Sequence, residues 1–507
     1  MTAARMLAVA NGAAVPLGDL PRLDLDALRD VVIGAPQRGR RVSALFGAPG
    51  AGGLRVYAVL ADDDAGLLEC AWAELAGDEF PSMTPECTEV HLFERELAEQ
   101  WGVVPRGHPW LKPVRFHPSY RPGHDAWGRS AGAAPVPGVT EFFRVEGDEI
   151  HEVAVGPVHA GVIEPGHFRF QCHGENVYHL EISLGYQHRG VERKLVGGPN
   201  KRSIHYMETL AGDTTVGHAT AYCQILEGLA GRRATTRGAA LRGVALELER
   251  LANHTGDLGA LAGDVGFLPT ASYCGRLRGD FLNMTAALCG SRFGRGLVRP
   301  GGAAFDADEA RVADLRKRLS AAARDVADAV KLLWTAPTVM ARFEDTGRVD
   351  ADLAAALGLV GPAARASGLR RDVRTTHPSG IFQMVHIPVS TVESGDVFAR
   401  AYVRWLEIER SIDYLRAQLG ELPRGPARRE CPAPRGASFA VALAEGWRGE
   451  ICHVAITDEV GGFAAYKVVD PSFHNWMGLA MALRDQQISD FPLCNKSFNL
   501  SYCGHDL

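Results

Sequence analysis

The sequence predicts an α+β fold made of a small α/β N-terminal domain and a large, mainly helical domain with peripheral β-strands. Strand-like apolar runs occupy both ends of the chain, and long amphipathic helical patterns fill the middle. Residues 121–139 are rich in proline, glycine and alanine, which is typical of a linker. A long surface loop is the alternative for this stretch. We therefore expect domains at residues 1–120 and 145–507, joined by a linker at 121–144.

The individual elements follow from apolar spacing. In the first domain, residues 56–60 predict a buried strand and residues 67–75 a short helix. The second domain begins with strands predicted at 142–145, 168–172 and 178–184. Helices are then predicted at 216–229, 239–260, 307–333 and 397–419. Strands at 450–456 and 464–469, a helix at 475–483 and a final stretch of ordered strand and turn complete the chain.

Composition limits the function classes. The chain has 507 residues, a formal net charge of −6 and no basic stripe with interleaved aromatics, so nucleic-acid binding is not expected. No apolar stretch approaches the ~20 residues that cross a bilayer, and the N-terminus makes a poor signal peptide. We expect a cytoplasmic protein that sits on a membrane complex as a peripheral subunit. The ten cysteines include no Cys-x-x-Cys pair, which predicts no intrinsic metal or iron–sulfur cluster.

Polar and glycine-containing motifs follow one another through the second domain. They are GPVH at 156–159, IEPGHFR at 163–169, HRGVERK at 188–194, GDTTVGHATAY at 212–222, ELERLANHTGDLG at 247–259, SRFGRGLVRPGG at 291–302, GWRGE at 446–450 and DPSFHN at 470–475. Together they resemble the large subunits of nickel–iron hydrogenases and the related quinone-site subunit of respiratory complex I. The resemblance covers nearly all of residues 145–507 and implies a hydrogenase-large-subunit-like fold there.

The first domain carries a second resemblance. The motifs FPS at 80–82, FEREL at 93–97 and WGV at 101–103 are similar to those of the complex I subunit that packs beside the quinone-site subunit. One chain that fuses both resembles the large subunit of group 4, energy-converting hydrogenases of the formate hydrogenlyase type. The proline-rich linker then falls where the two modules join.

The resemblance also locates a metal centre that this sequence does not support. A nickel–iron site in this family uses two Cys-x-x-Cys pairs, because soft thiolates suit both metals. The corresponding positions hold Ala211, Thr214, Ser472 and Asn475, none of which supplies a thiolate. We expect no nickel–iron centre and no activation of hydrogen.

In the complex I subunit, the emptied metal pocket receives a quinone headgroup. The resemblance implies a pocket lined here by His159, Ser472 and Asn475, with His167 as a second histidine close by. The tyrosine that donates to the quinone in complex I would fall at Gly212, so this chain lacks it. A quinone or a similar small acceptor is the ligand that this pocket implies, and we expect no intrinsic cofactor.

Ionisable residues remain around the predicted pocket. Glu164 aligns with the hydrogenase glutamate that passes protons. With His167 and four further residues it forms a candidate proton relay; the four are Asp213, His218, Asp470 and His474. Buried acids and histidines with shifted pKa values suit that role. The alternative for His218 is a satisfied polar group in the core.

Two further residues have alternative interpretations. Glu192 stands where related hydrogenases place a magnesium ligand, but it could instead form a structural ion pair with Arg189 and Arg193. The histidine that would complete a magnesium site has no match, so no metal is expected. His505, near the end of the chain, is expected at the surface.

Two functions remain open from the sequence. The first is a large subunit of a membrane-associated, hydrogenase-related or NADH-quinone oxidoreductase-like respiratory complex, on the inner face of the cell membrane. It would take part in electron transfer coupled to proton movement, without a nickel–iron centre. The implied partners are an iron–sulfur small subunit with a [4Fe-4S] cluster, a ferredoxin-like subunit and membrane antiporter-like subunits. The alternative is a structural adaptor between an iron–sulfur arm and a membrane arm.

Overall fold

The computed structural model describes residues 5–50, 52–130, 135–159 and 163–507. The N-terminal module, residues 5–120, contains eight strands and two helices. They are β1 (Leu7–Ala10), β2 (Ala14–Pro16), β3 (Arg22–Leu23), α1 (Leu25–Ile33), β4 (Arg40–Gly50), β5 (Gly53–Asp62), β6 (Leu67–Leu75), β7 (Glu79–Pro81), α2 (His91–Trp101) and β8 (Val104–Arg106). Strands β1, β6, β5 and β4 form one antiparallel sheet in that order, with β3 parallel to β6, and β7 pairs with β8.

The helix predicted at 67–75 is wrong, because this segment is strand β6. It pairs with β5 on one side and β1 on the other, for example Ala58 with Ala71 and Leu7 with Cys70. Leu68, Cys70 and Ala73 are fully buried. The short apolar run satisfies helical spacing as well as strand spacing, and the pairing with β5 decides between them.

The middle of the chain is mainly helical. Its elements are β9 (Ile150–Val155), β10 (His167–His173), β11 (Asn176–Ser183), α3 (Val191–Leu195), α4 (Ser203–Met207), α5 (Thr215–Leu229), α6 (Thr236–Asp264), α7 (Leu268–Cys289), β12 (Val298–Arg299), β13 (Gly302–Ala303), α8 (Glu309–Trp334), α9 (Pro337–Phe343), α10 (Ala351–Ala356), α11 (Gly361–Arg365), α12 (Val373–Thr376) and α13 (Val397–Gly420). Helix α6 is buried along nearly its whole length and packs between α7 and α13. The predicted α+β class is confirmed, as are the four long helices. The strand predicted at 142–145 is wrong, because these residues form no ladder.

The last segment returns to a sheet and ends in short helices. Its elements are β14 (Ser438–Gly446), β15 (Gly449–Thr457), β16 (Phe463–Val469), α14 (Pro471–Ala482), α15 (Phe491–Phe498) and α16 (Tyr502–Asp506). The final stretch is therefore helical rather than strand and turn. Ser501 is the N-cap of helix α16, and its hydroxyl accepts from the Gly504 amide at 2.9 Å.

The N-terminal module and the C-terminal sheet share one core. Strand β2 leaves its own module and pairs with β14, so that the sheet runs β16–β15–β14–β2. Across the boundary, the rings of Tyr57 and Phe439 stack at 6.3 Å, and those of Phe93 and Phe473 meet at 5.1 Å. Arg41 forms a buried ion pair with Glu450 at 2.5 Å. The two ends of the chain are thereby packed as one unit, and the described residues of 121–144 connect them without helix or strand.

Candidate functional site

The site is built where β16 turns into α14. Asp470 is the N-cap of α14, and its Oδ1 accepts a hydrogen bond from the Ser472 amide at 2.8 Å. Pro471 follows at the first helical position, where no amide donor is needed. This cap leaves the second carboxylate oxygen of Asp470 free to contact Nε2 of His218 on α5 at 3.0 Å. Both side chains are buried.

A buried chain of hydrogen bonds continues from His218. Its Nδ1 lies 3.1 Å from Nε2 of His453 on β15, and Nδ1 of His453 lies 2.8 Å from the Tyr466 hydroxyl on β16. All four side chains, from Asp470 to Tyr466, are at most 5% exposed. Linked groups of this kind can hand a proton from one to the next, because each imidazole both donates and accepts.

Burial sets the charge states along this chain. It lowers the pKa of His453 well below its usual value, and the neighbouring His218 lowers it further. Burial likewise raises the pKa of Tyr466 well above its ordinary range. For Asp470, burial opposes ionisation, but the hydrogen bond and charge of His218 and the charge of Arg448 outweigh it and lower the pKa. Asp470 therefore rests as a carboxylate, His453 as a neutral imidazole and Tyr466 as a phenol.

Asp213 lies beside this chain, in the turn before α5. The Arg448 guanidinium donates two hydrogen bonds, of 2.6 and 2.8 Å, to the Asp213 carboxylate. Burial would raise the pKa of Asp213, but the charge and hydrogen bonds of Arg448 more than offset this and lower it. Trp447 supports the pair, since its Nε1 donates to the Asp213 carbonyl and its ring lies 3.9 Å from the Arg448 guanidinium. Asp213 is thus held as an anion.

The four positions that correspond to metal ligands are buried and already satisfied. Ala211 offers no donor, and the Thr214 hydroxyl donates to Asp213 at 3.1 Å. The Ser472 hydroxyl accepts from the Ser501 amide at 2.9 Å. The Asn475 side chain bonds both the amide and the carbonyl of Val360 at 3.0 Å. This donor set does not fit a nickel–iron centre, which needs thiolates.

One cysteine approaches the same region from the end of the chain. Cys503 contacts the carboxyl group of Glu164 and lies 3.4 Å from the Ser501 hydroxyl. Burial, and then the negative charge of Glu164, raise the pKa of this thiol to about 11. Cys503 is therefore a protonated thiol at neutral pH rather than a ligand-ready thiolate. Among the described residues, no group of three or more histidine, cysteine, aspartate or glutamate side chains is placed to hold a metal.

Two histidines on either side of Glu164 make hydrogen bonds to main-chain carbonyls near it. His159 Nε2 lies 3.1 Å from the Gly166 carbonyl, and His167 Nδ1 lies 3.1 Å from the Gly156 carbonyl. His167 is buried, while His159 and Glu164 are half-buried. These three candidate residues therefore form a second group, which makes no described contact with His218. His167 also packs against Phe142 and accepts from Arg169, and Glu164 meets Cys503 of the C-terminal segment.

Among the described residues, His474 makes no hydrogen bond to either group, although it follows Asp470 by one turn of α14. Its ring packs edge-on against Phe93 of α2 at 5.6 Å, in the core shared with the N-terminal module. Its Nε2 is buried without a hydrogen-bond partner among the described residues. Burial lowers its pKa to about 4. The structure thus brings Asp213, His218 and Asp470 together and leaves His474 outside.

Two members of the buried chain were not found from the sequence. His453 and Tyr466 lie on neighbouring strands, where His453 pairs with Val468, two residues from Tyr466. The alternation of β16 places Tyr466 and Val468 on one face, which would have been a signal once the register was known. The register itself comes from contacts that no local pattern gives.

Glu192 is neutralised by a lysine rather than by neighbouring arginines. Lys467 Nζ lies 3.0 Å from Glu192 and 2.6 Å from Glu96 of α2, and Gln100 donates to the second Glu192 oxygen at 3.0 Å. Glu192 thus forms a structural ion pair, but the predicted partners are wrong, because Arg189 donates to main-chain carbonyls and Arg193 lies over the Tyr120 ring. Every one of these carboxylates is buried. An internal ammonium group therefore supplies the cation at this position.

The position of Lys467 leads to a prediction about how the melting temperature responds to divalent cations. Chelation with EDTA should leave the melting temperature unchanged, because Lys467 already balances the Glu192 charge. Differential scanning fluorimetry with and without EDTA, followed by added Mg²⁺, tests this. A drop in melting temperature that Mg²⁺ reverses would contradict the assignment.

The predicted surface position of His505 is also wrong. It is 4% exposed, not at the surface, because α16 folds back into the molecule. Arg115 donates to its carbonyl at 2.8 Å, and its neighbour Asp506 accepts from the amides of Gly185 and Gln187. The segment at 501–507 reaches the candidate site through Ser501, whose amide donates to the Ser472 hydroxyl.

Comparison with known proteins agrees with this architecture. Residues 264–435 match the family described as the 49 Kd subunit of respiratory-chain NADH dehydrogenase. The carbon monoxide-induced hydrogenase of Rhodospirillum rubrum is 30% identical over 353 residues, which cover 69% of this chain and 97% of that protein. The chain belongs to this family of hydrogenase large subunits and complex I 49 kDa subunits. The resemblance predicted from the motifs is confirmed.

Other members extend the match. Formate hydrogenlyase subunit 5 of Escherichia coli is 29% identical over 436 residues, 84% of this chain and 76% of its own. NADH-quinone oxidoreductase subunit 4 of Thermus thermophilus is 28% identical over 373 residues, 68% of this chain and 90% of its own. The predicted class, a large subunit of hydrogenase-related or NADH-quinone oxidoreductase-like type, is therefore confirmed. Within the described residues, no helix is long and apolar enough to cross a bilayer.

Proposed function

We propose that this chain is the large subunit of a multi-subunit, membrane-associated complex that reduces a quinone or a similar small acceptor, without a nickel–iron centre. Two electrons would come from a [4Fe-4S] cluster of an iron–sulfur small subunit, and two protons would complete the quinol. Further partners would be a ferredoxin-like subunit and membrane antiporter-like subunits, and the complex would face the cytoplasm at the inner membrane surface. This chain would supply the protons and one wall of the acceptor pocket.

The buried hydrogen-bonded chain from Asp470 to Tyr466 supports this proposal. Burying a carboxylate, two imidazoles and a phenol is unfavourable compared with apolar side chains of similar size. The chain begins at the cap of α14, beside the former ligand positions 472 and 475, and runs inwards through His218 and His453. A proton relay explains why these four groups lie within hydrogen-bonding distance of one another. The second group, Glu164 with Cys503, would deliver protons to the same region from the loop side.

A structural adaptor is the second candidate, and one observation favours it. The Ser472 hydroxyl accepts from the Ser501 amide, and both polar atoms of the Asn475 side chain bond Val360, so both side chains are already engaged inside the protein. In an adaptor, the buried chain would fix the orientation of the C-terminal sheet relative to α5. Assembly of the complex would then depend on it, and turnover would not.

His453→Gln in the intact complex separates the two candidates. Glutamine retains hydrogen-bonding groups but cannot relay a proton, so we expect quinone-linked electron transfer to slow by about tenfold or more with assembly unchanged. The slowed step should show a larger solvent deuterium isotope effect. Tyr178→Phe, which removes an exposed hydroxyl, is the matched control. Full turnover in a correctly assembled His453→Gln complex would reject the relay and leave the adaptor.

A further inference from the structure

A cavity of about 550 Å³ lies on the opposite face of α5 from the candidate site. Thr220 and Gln224 of α5 line it, whereas His218 of the same helix points to Asp470. Residues two and six positions after His218 project from the other side of a helix. The remaining walls come from α6, from the segment that leads into β2 and from residues 379–384. The volume is within the range of sites that bind small molecules.

The lining carries a large excess of positive charge. It contains six arginines and two glutamates, and no aspartate, lysine or histidine. Arg242 is paired with Glu227 at 2.6 Å, and Arg374 with Glu247 at 3.0 Å. The other glutamate, Glu445, is paired with an arginine outside the cavity. Four arginines are left with no carboxylate within salt-bridge distance among the described residues: Arg232, Arg233, Arg429 and Arg435.

The end of α5 accounts for only part of this charge. Arg232 and Arg233 follow the C-terminus of the helix, where cations are favoured. Arg435 donates to the carbonyls of Leu229 and Gly228 at 3.0 and 3.2 Å, so it caps the same helix end. Arg429 lies on a different segment and makes no such side-chain contact. Its convergence on the same opening indicates a site for an anion, because guanidinium groups bind phosphate oxygens in pairs.

The inner wall supplies a different chemistry. The Thr220 hydroxyl and the Gln224 Oε1 are buried without hydrogen-bond partners. Because Gln224 Nε2 already donates to Ser379 at 2.7 Å, its free oxygen needs a donor. Ile381 and Phe382 add apolar surface beside them. A ligand that fits must carry an anion at the mouth and a flat, partly apolar group with N–H donors inside.

We propose that this cavity is a binding site for a nucleoside phosphate. Its phosphates would contact Arg233 and Arg429 at the mouth, and its base would lie against Phe382, with an exocyclic amino group donating to Gln224. The site is separate from the acceptor pocket, so it would report the nucleotide state to the complex rather than take part in electron transfer. Nothing in the proposed relay depends on it.

Isothermal titration of ADP into the purified full-length chain tests the site. We expect binding that weakens at least tenfold in Arg233→Gln/Arg429→Gln and weakens with added salt. Both arginines are exposed, so the fold should be unaffected. Arg324→Gln, an exposed arginine on α8, is the matched control and should bind as the unmodified chain does. The Gln224→Leu substitution should weaken the binding of ADP but leave the binding of pyrophosphate unchanged.

Three outcomes would overturn the proposal. ADP could fail to bind at millimolar concentration, or it could bind equally to the double variant. In the third outcome, ADP does not bind, but vesicles that contain phosphatidylglycerol bind the unmodified chain and do not bind the double variant. That result would assign the arginines to a membrane surface.

Discussion

Replacing Glu407 with glutamine is expected to lower the free energy of unfolding by about 3–5 kcal/mol, because it breaks a buried ionic network at its centre. Glu407 lies on α13 and is 1% exposed. It accepts from Arg365 at 2.8 Å, from Arg250 at 3.3 Å and from His254 at 2.9 Å. Burial opposes its ionisation, but Arg365 and His254 outweigh it and hold the pKa of Glu407 well below its usual range.

The network joins the helical core to the C-terminal sheet. Arg365 also reaches Glu445 of β14 at 2.8 Å, and Arg250 donates to the Gly446 and Glu445 carbonyls. Loss of the Glu407 charge would leave two guanidinium groups buried without full compensation. Urea denaturation followed by circular dichroism measures the effect. Glu409→Gln, two residues further along α13 and exposed, should change stability by less than about 0.5 kcal/mol. Equal stability of both variants would mean that the network contributes nothing.

The second large effect is the response to acid. Burial lowers the pKa of His474 to about 4, whereas an unfolded histidine titrates near 6.5. Between these two pH values the unfolded chain binds the proton and the folded chain does not. The His474 contribution to stability is therefore complete above pH ~6.5 and is lost as the pH falls to ~4. A shift of this size corresponds to about 3 kcal/mol.

His474→Leu should remove this acid sensitivity. Leucine keeps apolar contact with Phe93 and leaves no buried nitrogen without a partner. We expect stability within about 1 kcal/mol of the unmodified chain at pH 7 and a smaller loss, by about 3 kcal/mol, on acidification to pH 4. His151→Leu, an exposed position on β9, controls for the loss of a histidine. Parallel acid-denaturation curves for the unmodified chain and His474→Leu would show that His474 is not the titrating group.

Local patterns identified the helical core and the family but not the contacts of the site. The long helices α6, α8 and α13 follow from apolar residues that recur at helical spacing, and α5 follows from a run of small apolar residues. Segment 67–75 was misassigned, because nine residues with mixed spacing satisfy a helix and a strand equally well. Only pairing with β5 and β1 distinguishes the two, and that pairing is a tertiary contact.

The candidate site shows the same division. Asp470 and His218 were found because their motifs resemble those of the family. His453 and Lys467 belong to no family motif, and their partners lie at least 200 residues away in the sequence. His453 contacts His218, and Lys467 pairs with Glu96 and Glu192. Such partners depend on the strand register and on the docking of α2 and α3 against β16. They become visible only when the chain is folded.

The shared core between the N-terminal module and the C-terminal sheet has a consequence for how the protein unfolds and responds to mutation. The motifs predict a domain boundary near residue 120, but cooperative unfolding need not respect that boundary, because β2, Tyr57 and Phe93 complete a core begun by β14 and Phe473. A destabilising substitution on either side of the junction is therefore expected to lower the stability of both halves.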